Sequence, residues 1–176
     1  MENSPTARLY ATLESQRSAF AQEMNPTAAV RRDRLDRLAA MGEKHGAQIV
    51  ETIAADFGHR SSHETQMAEL LIVGTAIRHA RRHLAGWMKT RRVTTAMHYL
   101  PASNRLMRQP LGVVGIVAPW NYPYQLALAP AVAAIAAGNR VMIKPSELTP
   151  RFSELLQRIV AEFFAEGEMA LSLIHI

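Results

Sequence analysis

Two short segments of this chain combine residue types that can do chemistry. The first is Ala118-Pro119-Trp120-Asn121-Tyr122-Pro123, a turn stiffened by two prolines with a neutral amide donor at its centre. An amide held at a helix entrance in a dry site can stabilise an oxyanion developing on a carbonyl substrate. Asparagine is also a favoured helix cap, so Asn121 carries both readings. The second segment is Lys144-Pro145-Ser146-Glu147, directly after an apolar run. A carboxylate placed there can accept hydrogen bonds from ribose hydroxyls, and a neighbouring lysine can donate to ribose or attract phosphate. An ordinary pair of surface charges has the same appearance.

Other chemistries find less support. The 176 residues include no cysteine, which excludes disulfides, thiolate metal sites and a cysteine nucleophile within this chain. His59 and His63 have the i, i+4 spacing of a metal pair, but they straddle a helix start and lack a third ligand, so no metal site is expected. Arg78, Arg81, Arg82, Lys89, Arg91 and Arg92, near Trp87 and Tyr99, read either as a nucleic-acid contact or as the polar face of a helix and its exit. No nucleic-acid motif accompanies them. Gly112 and Gly115 precede the end of the first core strand, so the G-x-G-x-x-G dinucleotide fingerprint is absent.

The elements that must position these residues follow from apolar spacing. Leu9, Leu13, Phe20 and Met24 predict a first helix, and Asn25-Pro26 a cap with proline at the first helical position. A second helix runs through Val30, Leu38, Met41, Ile49, Ile53 and Phe57, closed by Gly58, with Arg31, Arg32, Arg34 and Arg37 as a solvated face. Ser61 and Glu64 have capping-box spacing before a long third helix carrying Met67, Leu70, Leu71, Ile77, Leu84 and Met88, with Gly74 as a point of close packing. Val93 to Leu100 and Asn104 to Gln109 read as a hairpin-like extension. Gly112 to Val117 is a run of the kind buried on both faces of a parallel sheet. Tyr124 to Ala137 is a buried helix stopped by Gly138-Asn139, Arg140 to Lys144 a second strand, and Pro150 opens an amphipathic helix closed near Gly167. This alternation is the opening of a doubly wound α/β fold.

With 48% hydrophobic and 20% charged residues, the composition is that of a globular protein, and a net charge of +5 favours anionic partners without naming one. The start has no uninterrupted apolar core like that of a secretory signal, and Leu111 to Asn139 is too broken by glycine, proline and asparagine to span a membrane. A cytoplasmic protein without membrane or nucleic-acid partners is expected.

The run PLGVVGIVAPWNYPYQLALAPAVAAIAAGNRVMIKPSE, Pro110 to Glu147, resembles the first strand-helix-strand unit of the aldehyde dehydrogenase superfamily, with its P-W-N-x-P and K-P-S-E motifs at the expected separation. D-F-G-x-R-x-x-x-E, Asp56 to Glu64, is similar to the branch that includes coniferyl aldehyde dehydrogenase and the class 3 enzymes. The resemblance implies N-terminal helices plus the first β-α-β-α unit of a Rossmann-like NAD(P)-binding domain, truncated. It divides the chain into a helical segment 1–92, a hairpin-like extension 93–109, a partial dinucleotide-binding domain 110–170 and a non-family tail 171–176.

By the same resemblance Asn121 donates to the oxyanion, Trp120 forms part of the cofactor wall, and Lys144, Ser146 and Glu147 bind the adenosine ribose. The substrate is an aldehyde and the cofactor NAD, with NADP as the alternative, since Glu147 repels a 2′-phosphate and Lys144 offsets this. A complete relative is a homo-oligomer, with the hairpin as a candidate contact. The family's cysteine nucleophile attacks the aldehyde, hydride passes to nicotinamide, and a glutamate activates the hydrolytic water. Nucleophile and base both lie beyond the match, which fades after Ala170, so the expectation is a truncated reading frame, inert alone, with an exposed sheet edge. The rival expectations are a stand-alone nucleotide-binding or regulatory module and a basic nucleic-acid-associated protein.

Overall fold

A computed structural model describes residues 5–174. Two helices open the chain, α1 (Pro5–Gln22) and the 30-residue α2 (Ala28–Phe57). The α2 cap is Thr27, whose side chain accepts from the Val30 amide, in place of the expected Asn25. Gly58, with φ of 78°, ends the helix in the left-handed region that glycine enters without a Cβ clash. α2 runs through Gly46 unbroken because Leu35, Leu38, Met41, Ile49 and Ile53 bury one continuous stripe.

The expected third helix is in three pieces: α3 (Ser62–Thr65), a π-helical turn (Gln66–Leu70) and α4 (Leu71–Trp87). The Ser61–Glu64 capping box does not form; the Ser61 side chain caps nothing, and Glu64 is used by Arg60 and Tyr122 instead. Gly74 is not a close-packing point, since a Cβ there would meet only the tip of Arg78 at 3.5 Å. The hairpin forms as β1 (Arg91–Val93) and β2 (Asn104–Leu106), antiparallel, with a 3-10 turn at Met97–Tyr99 where the alternating sequence suggested more strand.

The core sheet is parallel, ordered β3 (Val113–Val117), β4 (Arg140–Lys144), β5 (Met169–Leu171). Helix α5 (Pro123–Ala137) connects β3 to β4, and α6 (Pro150–Phe163) connects β4 to β5. A third strand therefore does follow α6, although Leu171 begins the stretch read as tail; Ile176 and its neighbour lie outside the described residues. β3 is not buried on both faces: Gly115 and Val117, the latter 69% exposed, lie on the face opposite the buried Ile116. β4, flanked on both sides, buries Val141 and Ile143 completely.

The N-terminal helices and the sheet share one core, in which α2 packs on α5 and α6. The arginines read as a solvated face supply much of the polar joinery; Arg31 and Arg34 are buried, and only Arg32 of the four is fully exposed. Arg31 donates to the carbonyls of Pro26, Ala136 and Ala137, placing a cation on the negative end of α5. Arg34 and Arg37 both bind Glu168, next to β5. Burial alone would raise the Glu168 carboxyl, but hydrogen bonds from Arg37 and Arg34 hold it down at about 2.

Candidate functional site

The two chemistry-bearing segments leave the sheet side by side. Val117 of β3 is paired with Lys144 of β4, and the Ala118 amide donates to the Lys144 carbonyl at 2.9 Å. Both segments therefore start at the carboxyl edge of parallel strands, where α/β folds bind ligands.

The Trp120-Asn121-Tyr122 turn is clamped from three directions by residues of the N-terminal helices and of the loop that follows α2. Arg60, its side chain only 5% exposed, donates from Nη1 to the Asn121 carbonyl at 2.5 Å. Its guanidinium sits between the rings of Phe57 and Tyr122, at 4.8 and 4.5 Å from their centroids. The Trp120 ring packs on Phe57 with centroids 5.9 Å apart, and the Tyr122 hydroxyl donates to Glu64 at 3.2 Å. The third clamp is Glu69, fully buried in the π-helical turn, which accepts from the Tyr124 and Gln125 amides at 2.7 and 3.2 Å. Burial raises the Glu69 carboxyl above the usual carboxylate range, opposed by those two backbone donors and by Arg60, 3.4 Å away.

Glu69 thus does the capping that Asn121 was a candidate for. Tyr122 occupies the cap position of α5 without a side-chain capping bond, and the exposed Asn121 amide forms no hydrogen bond among the described residues. Asp56 acts likewise at α6, accepting from the Arg151 and Phe152 amides at 3.2 and 2.9 Å. A free helix N-terminus attracts phosphate, but these two are already filled by the chain's own carboxylates.

The second segment borders a cavity of about 170 Å³, lined by Lys144, Ser146, Glu147, Ser153 and Glu154 among others. Lys144 Nζ lies 3.0 Å from Glu147 Oε2 and donates to the Pro145 carbonyl at 3.3 Å. The buried Ser146 hydroxyl accepts from the Leu148 amide, and its carbonyl accepts from Ser153 Oγ at 3.0 Å, which fixes the loop shape. One ammonium, two carboxylates and two hydroxyls make a lining suited to sugar hydroxyls and net negative towards a further phosphate. Trp120 and Asn121 do not border this cavity. A further cavity of about 670 Å³ lies between α4 and α5 and includes none of the predicted site residues.

In the sequence, Asp56 and Arg60 stand in the D-F-G-x-R-x-x-x-E motif with no role of their own, Phe57 reads only as part of an apolar stripe, Glu64 only as a capping-box member, and Glu69 does not stand out at all. Their partners lie 55 to 96 residues away, a separation that no local spacing reveals. Among the described residues no group of three or more metal-ligating side chains gathers, and no helix is long and apolar enough to cross a membrane.

Comparison with known proteins agrees with the fold. Residues 2–169 match the model of the aldehyde dehydrogenase family. A probable coniferyl aldehyde dehydrogenase of Pseudomonas aeruginosa is 39% identical over 166 residues, 94% of this chain and 35% of that protein. The 4,4'-diaponeurosporen-aldehyde dehydrogenase of Staphylococcus aureus is 34% identical over 82% of this chain and 31% of its own length. The solved substrate-bound state of Staphylococcus aureus AldH superposes with a TM-score of 0.89 at 30% identity, covering 93% of this chain and 35% of that one. The chain thus spans about a third of the length of these relatives. With fold and sequence in agreement, the chain belongs to the aldehyde dehydrogenase family.

Proposed function

We propose that these residues form the adenosine-ribose side and the oxyanion donor of an enzyme that oxidises an aldehyde to its carboxylic acid with NAD(P). The observation that carries the reading is the pairing of Val117 with Lys144, which brings the Asn121 turn and the Lys144–Glu147 loop to one sheet edge. Glu147 accepts from ribose hydroxyls and Lys144 donates to them, with Ser146 lining the same pocket. Trp120 forms part of the cofactor wall. The bound nicotinamide supplies the hydride acceptor.

The Asn121 amide donates to the substrate oxygen as negative charge develops on it. Support for this role is the way the backbone of the turn is held while the amide is left unused: Arg60 grips the carbonyl and Glu69 takes over the cap. A pre-set donor loses little to reorganisation when charge appears, which is the source of its catalytic value. Both carboxylates beside the cavity, Glu147 and Glu154, disfavour a 2′-phosphate, so NAD is the cofactor, with NADP the weaker alternative. Aromatic or fatty aldehydes, coniferyl aldehyde among them, are the proposed substrates, because the coniferyl enzymes are similar along 90% or more of this chain. The complete enzyme is proposed to be a homo-oligomer.

Because no cysteine is present, the 176-residue chain alone is proposed to be inert. An assay of NADH formation with benzaldehyde-type, coniferyl-type and fatty aldehydes should show no turnover by the purified chain. Turnover above a boiled control would overturn the assignment of the nucleophile to a residue outside it.

A further inference from the structure

We propose that Arg32, Arg78, Arg81 and Arg82 form a second binding site, for a phosphate-bearing anion. The four side chains line one shallow cavity of about 360 Å³ between α2 and α4. Arg78, Arg81 and Arg82 stand at i, i+3 and i+4, which puts them on one helix face, and Arg32 meets them from the neighbouring helix.

Three features set this cluster apart from an ordinary solvated face. First, α4 contains no Asp or Glu, so its like charges at i, i+3 and i+4 repel without an opposite-sign partner on their own helix. Second, the deficit is wider than one helix: no acidic residue occurs between Glu69 and Glu147, a stretch that holds ten of the chain's twenty Lys and Arg. Third, two of the four guanidiniums are uncommitted. Arg81 pairs with Asp36 at 2.7 Å and Arg78 donates once to Thr75, while Arg32 and Arg82 have no hydrogen-bond or ion-pair partner among the described residues.

An anion that satisfies several planar N–H forks at once is an oxyanion with three or more acceptor oxygens, and phosphate matches guanidinium geometry better than a monovalent halide does. The cavity accepts one or two phosphate groups in size. It is built from α2 and α4, whereas the ribose pocket is built from the loop after β4 and from α6, so the two sites share no residue. The ligand is a phosphate monoester or pyrophosphate, carried either by a soluble compound or by a lipid headgroup.

The test is isothermal titration of the 176-residue chain with inorganic pyrophosphate, against sodium chloride at matched ionic strength because exposed ion pairs are screened. Co-sedimentation with phosphatidylcholine vesicles, with and without phosphatidic acid, runs in parallel. Arg32→Gln/Arg82→Gln should weaken the bound form by about tenfold or more, the loss of two charge-assisted hydrogen bonds. Arg78→Gln, checked for an unchanged circular dichroism spectrum, should weaken it less. Binding of pyrophosphate that is lost in the double variant supports a soluble ligand, and vesicle binding alone that is lost in the same way supports a headgroup. No response beyond that to chloride, equal binding by the double variant, or retention of a single-stranded oligonucleotide in place of both probes would overturn the proposal.

Discussion

Replacing Glu69 should cost more stability than any exposed substitution in the chain. The carboxylate is fully buried, accepts two amide N–H groups at the entrance of α5, and faces the buried guanidinium of Arg60 at 3.4 Å. Glu69→Ala removes two charge-assisted hydrogen bonds, each contributing about 1.5–3 kcal/mol. It also leaves Arg60 with less compensation, when breaking one partner of a buried pair costs about 3–5 kcal/mol. Relief of the desolvation that raises the Glu69 carboxyl offsets part of this.

A net loss of about 4 kcal/mol results, a drop in Tm of about 8–16 °C for a chain of this size. Glu69→Gln keeps an acceptor for the α5 amides and loses only the charge, so about half that loss is expected. Thermal unfolding followed by circular dichroism, with Trp fluorescence as the second probe, measures both. Equal Tm values for wild type and Glu69→Ala, or a Gln variant worse than the Ala variant, would refute the capping argument.

Other outcomes follow from the same contacts. Asn121→Ala should change the urea midpoint by less than the equivalent of about 0.5 kcal/mol, because the amide caps nothing; a loss of about 1 kcal/mol or more would restore the cap reading. Gly138→Ala should cost about 2 kcal/mol or more in the same assay, since Gly138 has φ of +94° and its Cβ would stand 2.7 Å from the Arg31 guanidinium carbon. Glu168 is depressed from its ordinary 4.5 to about 2, so its contribution is present above pH 4.5 and is lost as pH falls towards 2. Glu168→Gln should therefore flatten the acid limb of a stability-versus-pH curve by an amount on the order of 2 kcal/mol, with little effect of pH between 6 and 8.

The helices, the β-α-β unit and the two site segments were legible because each is a local pattern: apolar stripes, proline at a helix start, glycine at its end. The P-W-N-x-P and K-P-S-E motifs were legible by resemblance. What spacing could not disclose was which charges turn inwards. Arg31 and Arg34 look like the outer face of α2 until α5 and β5 supply carbonyls and a carboxylate for them, and the same holds for Arg60 and Glu69 with the turn after β3. The exposure of Val117 is hidden for the opposite reason: the run from Gly112 to Val117 has the composition of a strand covered on both faces, whereas only the Ile116 face of β3 is covered.

The central claim is that Lys144, Ser146 and Glu147 hold the adenosine ribose of NAD. Saturation-transfer NMR of NAD with the 176-residue chain addresses it most directly. Transfer should be strongest at the adenosine ribose and adenine protons, weak at the nicotinamide, and abolished by Lys144→Ala/Glu147→Ala while Arg32→Gln/Arg82→Gln leaves it intact. Transfer centred on the nicotinamide, or an unchanged pattern in the Lys144→Ala/Glu147→Ala variant, would contradict it.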